Sequence, residues 1–139
     1  MARLPLWLRF AVLFLGILIL IWLPIEDRSA SGILIFAALI CTLGALAGRV
    51  VLQGHWVVTA RQEEPLRARN RLLVDLPVWL IAGLAVTPVV FLLMAIKTGL
   101  HGHGTPDYTP EQMVRILNLA PLWILVGLIF GLIASFWNK

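Results

Sequence analysis

The sequence predicts an all-α fold, an integral membrane bundle of four transmembrane helices with both termini cytoplasmic. Three observations predict it. Of 139 residues, 60% are hydrophobic and 13% are charged, where a soluble domain carries about 25% charged residues. Mean hydropathy is +0.95. The apolar residues fall into four runs, at about 5–23, 32–53, 76–97 and 119–137, each near the roughly 20 residues that a helix needs to cross a bilayer. The length suits one domain over residues 1–139.

The first run has the outline of a secretory signal: "MARLPLWLR", then "FAVLFLGILILIWLP", then the small residues Ser29, Ala30 and Ser31. Glu26 and Asp27 just ahead of that site, and bulky Trp22, argue against cleavage, so the run is read as a first span. "PIEDRSASG" is then a short outer turn that forces an antiparallel hairpin, with Ser29 or Ser31 capping the returning helix.

The second span holds the single cysteine, Cys41, which excludes a disulfide framework within one chain. It also holds "GALAG", with Gly44 and Gly48 four residues apart. The fourth span carries "GLIFGLIAS", which sets Gly127, Gly131 and Ser135 on one helix face. Small residues at that spacing let helix backbones approach closely in lipid, within the bundle or against a neighbour's helix.

Between the second and third spans runs the most polar stretch, "GHWVVTARQEEPLRARNRLLVD". Its Arg61, Arg67, Arg69 and Arg71, with Arg3 and Arg9 ahead of the first span and Lys139 after the fourth, assign this side to the cytoplasm, because basic residues collect in cytoplasmic loops. The net charge of +4 and pI of about 10.2 therefore report topology. No nucleic-acid motif accompanies them. Arg61, Arg67, Arg69 and Arg71 are read as contacts for lipid headgroups or, in a sharper reading, as a docking surface for an acidic partner or a phosphorylated ligand. Arg49, His55 and Trp56 at the same boundary are candidates to contact a quinone or a lipid phosphate, with an interfacial role as the plainer reading.

The third span starts at Pro77, and Thr87-Pro88 is expected to kink it. In the outer loop that follows, "HGHG" carries His101 and His103. Together with Asp107 they are weak candidates for a metal, since a fixed site normally has three or four ligands. "TPEQ" then predicts a helix start with Thr109 as cap, Pro110 in the first turn and Gln112 closing a capping box. Met113, Ile116, Leu117 and Ala120 fall on one face. This is expected to be a short amphipathic interfacial helix, turning or running into the fourth span at Pro121.

Pro-x-Trp occurs three times, at Pro5–Trp7, Pro77–Trp79 and Pro121–Trp123. Proline suits a first helical turn, and tryptophan suits headgroup depth. The copies fall on both sides of the membrane, and all six tryptophans fit two interfacial belts, so the repeat is read as marking position and not chemistry.

No Asp, Glu, Lys or His stands near the middle of any span. Arg9, Arg49 and Lys97 are close enough to span ends to extend toward water. Mid-membrane charges mark proton relays and ion paths, so a proton-coupled exporter is disfavoured. No HExxH or GxSxG motif occurs. Tyr108, Asp107 and Glu111 form a polar cluster without an oriented nucleophile. The chain is therefore not expected to be an enzyme, and no cofactor is indicated. The favoured reading is a non-catalytic accessory or scaffold subunit of a larger, energy-transducing membrane complex in the bacterial inner membrane. Its expected partners are membrane lipids and other membrane subunits. The alternatives are a homo-oligomeric transporter or channel and a lipid- or quinone-handling membrane protein.

Overall fold

The structure is a computed structural model that describes residues 5–23, 30–59, 64–101 and 107–137, with side chains placed for 5–23, 30–52, 72–100 and 107–136. Five helices follow one another: α1 (Leu6–Trp22), α2 (Ala30–Thr59), α3 (Glu64–His101), α4 (Pro110–Asn118) and α5 (Ala120–Trp137). No strand occurs among the described residues. Three apolar segments are long enough to cross a membrane: Ala30–Leu52, Leu72–Leu100 and Pro110–Phe136.

α1 is apolar but has only 17 residues, about 25 Å at the helical rise against a hydrocarbon core of roughly 30 Å. Pro5 ends its N-terminus, in an extended conformation, and its carbonyl accepts from Leu8 and Arg9. The caps expected at Ser29 and Ser31 divide: Ser29 lies outside the described residues, and Ser31 is already in α2.

α2 and α3 both extend beyond the spans expected of them. α3 has 38 residues, with Pro77 and Pro88 inside it. Pro77 therefore does not begin a helix. The polar stretch ahead of it, "EPLRARNRLLVDL", is rich in Leu, Arg, Ala and Glu, which are good helix formers. Its own proline, Pro65, occupies the first turn, where no N–H is needed. Hydropathy marks where a helix leaves lipid, not where it stops being a helix.

α4 starts as its motif dictates. Thr109 Oγ1 accepts from the Gln112 amide at 3.3 Å, and Gln112 Oε1 accepts from the Thr109 amide at 2.9 Å. Of its expected apolar face, Ile116 is buried and Met113 packs partly buried against the core, while Leu117 is exposed. α4 then runs into α5. Leu119 at the joint keeps right-handed helical angles, and its carbonyl accepts from the Trp123 amide at 3.2 Å.

α3 is the central helix. It packs chiefly against α5 and α2, while α1 leans on α2. A continuous core of Trp22, Ile33, Ala37, Cys41, Val86, Val90, Leu93, Met94, Tyr108 and Ile116 joins the helices.

Candidate functional site

Three features concentrate the polar and close-packed chemistry of the bundle: a charged clip near one end of the apolar segment of α3, a glycine contact with a cleft further along it, and a buried lysine near its other end.

The clip joins three helices. Arg49 of α2 places Nε 2.8 Å from Asp75 Oδ1 of α3. Its Nη2 donates to Asp75 Oδ2 at 3.1 Å and to the carbonyl of Ala134 on α5 at 3.2 Å. The Asp75 side chain is fully buried, and that of Arg49 is 17% exposed. Arg49 was expected to extend toward water. It turns inward because a carboxylate and a carbonyl converge within its reach, and a guanidinium offers several donors in a planar fork. Asp75, one residue ahead of the expected third span, escaped the sequence reading. A signal was present: opposite charges stand at the neighbouring ends of two consecutive spans.

Above the clip, α3 and α5 run antiparallel and almost touch. A Cβ added to Gly83 would stand 2.5 Å from the Trp123 carbonyl oxygen, and one added to Gly127 would stand 2.5 Å from that of Trp79. At Gly131 it would stand 3.1 Å from Leu76 Cα. Real Cβ atoms cannot sit 2.5 Å from a backbone oxygen, so these positions are glycine because the helices meet there. Gly44 faces open space, and a Cβ at Gly48 would reach only Val78, at 4.0 Å. Ser135 donates to the Gly131 carbonyl of its own helix at 2.7 Å.

The same contact frames a cleft of about 70 Å³ between α2, α3 and α5, lined among others by Cys41, Thr42, Trp79, Gly83, Trp123 and Phe130. Trp79 is 8% exposed and stacks on Phe130 with ring centroids 5.4 Å apart. The Nε1–H groups of Trp79 and Trp123 are both buried, and neither has an acceptor among the described residues. A buried donor left unpaired costs about 1–3 kcal/mol. These two tryptophans belong to Pro-x-Trp copies that each stand at the start of an expected span. Because α4 runs on into α5, Trp123 lies well inside the segment Pro110–Phe136, and the Gly83–Trp123 and Gly127–Trp79 contacts bring both tryptophans to one cleft. Trp7, of the third copy, is 58% exposed on α1.

At the far end of α3, Lys97 is 1% exposed. Its Nζ lies 4.1 Å from the centre of the Trp22 ring, and Trp22 packs on Phe36 at 4.7 Å. Lys97, too, was expected to reach water. The face of an indole attracts a cation, worth about 2 kcal/mol when both are desolvated, and contributes to keeping the lysine inside.

The remaining candidates are placed as follows. His55, Trp56, Arg67, Arg69 and Arg71 lie on α2 and α3, where the backbone alone is described, as does His101 at the end of α3. Arg61 and His103 lie outside the described residues. Asp107 is half-buried in the bend before α4. Among the described residues no group of three or more His, Cys, Asp or Glu is positioned to hold a metal ion.

No family profile, curated protein or solved structure matches the chain. The class is set by the helices themselves: an all-helical protein with three segments long and apolar enough to span a membrane.

Proposed function

We propose that this protein crosses the bacterial inner membrane four times, with both termini in the cytoplasm, and serves as a non-catalytic accessory or scaffold subunit of a larger, energy-transducing membrane complex. In this reading α1 is the fourth crossing. Its 17 residues suffice with slight local thinning of the bilayer, and the basic residues flanking the spans hold the orientation.

The observation that carries the subunit reading is the surface of α1. The helix meets the rest of the chain along a narrow line of Leu8, Leu15 and Trp22. Trp7, Phe10, Phe14, Ile17 and Ile21 are 53–63% exposed. They recur at alternating steps of three and four, the spacing by which one helix presents knobs to another. A helix held weakly to its own bundle and offering large rings outward is suited to bind a neighbouring subunit as well as lipid.

Native mass spectrometry of the tagged protein, extracted gently from its own membranes, tests this. A stoichiometric assembly with unrelated chains is expected, and the partners then name the complex. A homo-oligomer alone would overturn the proposal and favour transport along a subunit interface.

A further inference from the structure

On the side of the arginine-rich stretch, the apolar runs of α2, α3 and α5 each end beside a polar residue: at Leu52 before Gln53, at Leu72 after Arg71, and at Trp137 before Asn138. Arg49, Asp75 and Ala134 stand three residues inside those ends, about 4.5 Å at the helical rise. The clip they form therefore lies just beneath a headgroup layer roughly 5–7 Å deep. Its guanidinium is not fully used. Nε and Nη2 face Asp75, and Nη2 also donates to the Ala134 carbonyl. Nη1 has no partner among the described residues. Nε is enclosed, whereas Nη1 keeps accessible surface in a side chain that is 17% exposed.

The charge above the clip is mostly of one sign. Asp75 offsets Arg49. Arg71 and Arg67 stand one and two turns further along α3, on the face that carries Asp75, about 6 and 12 Å beyond it. That sets one within the headgroup layer and the other at its margin. Glu64, the next carboxylate along α3, lies about 16 Å beyond Asp75 and so outside the layer. α2 carries no acidic residue from Arg49 to Thr59.

We infer that this end of the α2–α3 pair holds one anionic phospholipid, whose phosphate accepts from Arg49 Nη1. The inner edge of the guanidinium fork clamps the helices, and its outer nitrogen takes the lipid. Each property of the ligand follows from the site. It is an acceptor because a guanidinium only donates and does not lose its proton. It is a phosphate because, of the acceptors in the headgroup layer, a charged oxygen makes a hydrogen bond roughly twice as strong as water or an ester carbonyl does. It is a lipid with net negative charge because the charges that Arg67, Arg69 and Arg71 bring to this level attract anionic headgroups. A bound lipid then stabilises the junction of the three helices, since it binds the folded clip and not the unfolded chain. The inference rests on α2, α3 and α5, so it depends neither on α1 nor on what the chain assembles with.

The test titrates dioleoylphosphatidylglycerol into the full-length protein in detergent and counts retained lipid by native mass spectrometry. Dioleoylphosphatidylethanolamine has the same phosphate without the net charge, and inorganic phosphate is the soluble source. One phosphatidylglycerol per chain is expected, held at least roughly 5-fold more tightly than phosphatidylethanolamine and not displaced by inorganic phosphate. Arg49→Lys leaves an ammonium facing Asp75 and removes Nη1, and should weaken affinity roughly 10-fold. Arg71→Gln keeps the clip and removes one charge above it, and should weaken affinity roughly 5-fold. Arg115→Gln, exposed on α4 beside the Trp22 end of the core, leaves affinity unchanged. Thermal unfolding of each variant confirms that it is folded. Equal retention of the two lipids, unchanged affinity in Arg49→Lys or Arg71→Gln, or an equal loss in Arg115→Gln would each overturn the inference. So would displacement by inorganic phosphate, which would make the ligand a soluble anion.

Discussion

Arg49 and Asp75 form an ion pair 2.8 Å apart, between a fully buried carboxylate and a guanidinium that also holds the carbonyl of Ala134. Each belongs to a different helix, and Ala134 to a third. Removing one partner of such a pair strands the other charge, at about 3–5 kcal/mol. Asp75→Asn and Arg49→Leu should each destabilise the purified protein by that order in thermal or denaturant unfolding. Exchanging the two, Arg49→Asp with Asp75→Arg, should recover part of the loss. Arg49→Lys should lose less than Arg49→Leu, since an ammonium still faces the carboxylate but lacks the planar fork.

The glycine contact gives a prediction with its own control. Gly83→Ala and Gly127→Ala each force a backbone oxygen to move away from a Cβ at 2.5 Å, and overpacking of this kind costs about 1–3 kcal/mol. Gly44→Ala adds the same methyl where nothing lies within 4 Å and should stay within about 0.5 kcal/mol of the parent. Unfolding midpoints of the three variants check the order.

At the start of α4, Thr109→Ala removes the acceptor for the Gln112 amide. A lost cap costs about 0.5–2 kcal/mol. Thr109 is exposed, so the effect should be local: amide exchange at Gln112 and Met113 accelerates, while exchange in the middle of α3 does not.

Lys97 and Trp22 should be coupled. Trp22→Leu removes the ring beneath the ammonium and should cost about 2 kcal/mol more in the parent than in a Lys97→Met background. A double-mutant cycle on unfolding free energies measures that difference.

Much of this architecture was legible because it is local. "TPEQ" fixes the start of α4 through side chains three residues apart, and the apolar runs fix where lipid-length helix must exist. The helix ends were less legible. The stretch from Glu64 to Asp75 is charged enough to resemble a loop yet composed of helix formers, and only the structure joins it to α3. The Gly127–Gly131 spacing was visible, but its counterpart Gly83 has no second glycine at motif spacing, only Thr87 four residues on. Asp75 was hidden by its place at the edge of a span, where a charge needs no explanation until a partner is seen. The tryptophan repeat shows the limit most clearly. Copies that each begin an expected span look separated by the membrane when the spans are antiparallel, yet the run of α4 into α5 carries Trp123 inward, and it lines one cleft with Trp79.

The four-crossing topology rests on α1, the shortest of the apolar helices, and it decides which surfaces share a side of the membrane. Reporters fused to the N-terminus and to the C-terminus, one active only in the cytoplasm and one only outside it, measure this directly. Four crossings predict cytoplasmic activity at both ends. Activity on opposite sides would mean that α1 does not cross and would contradict the account.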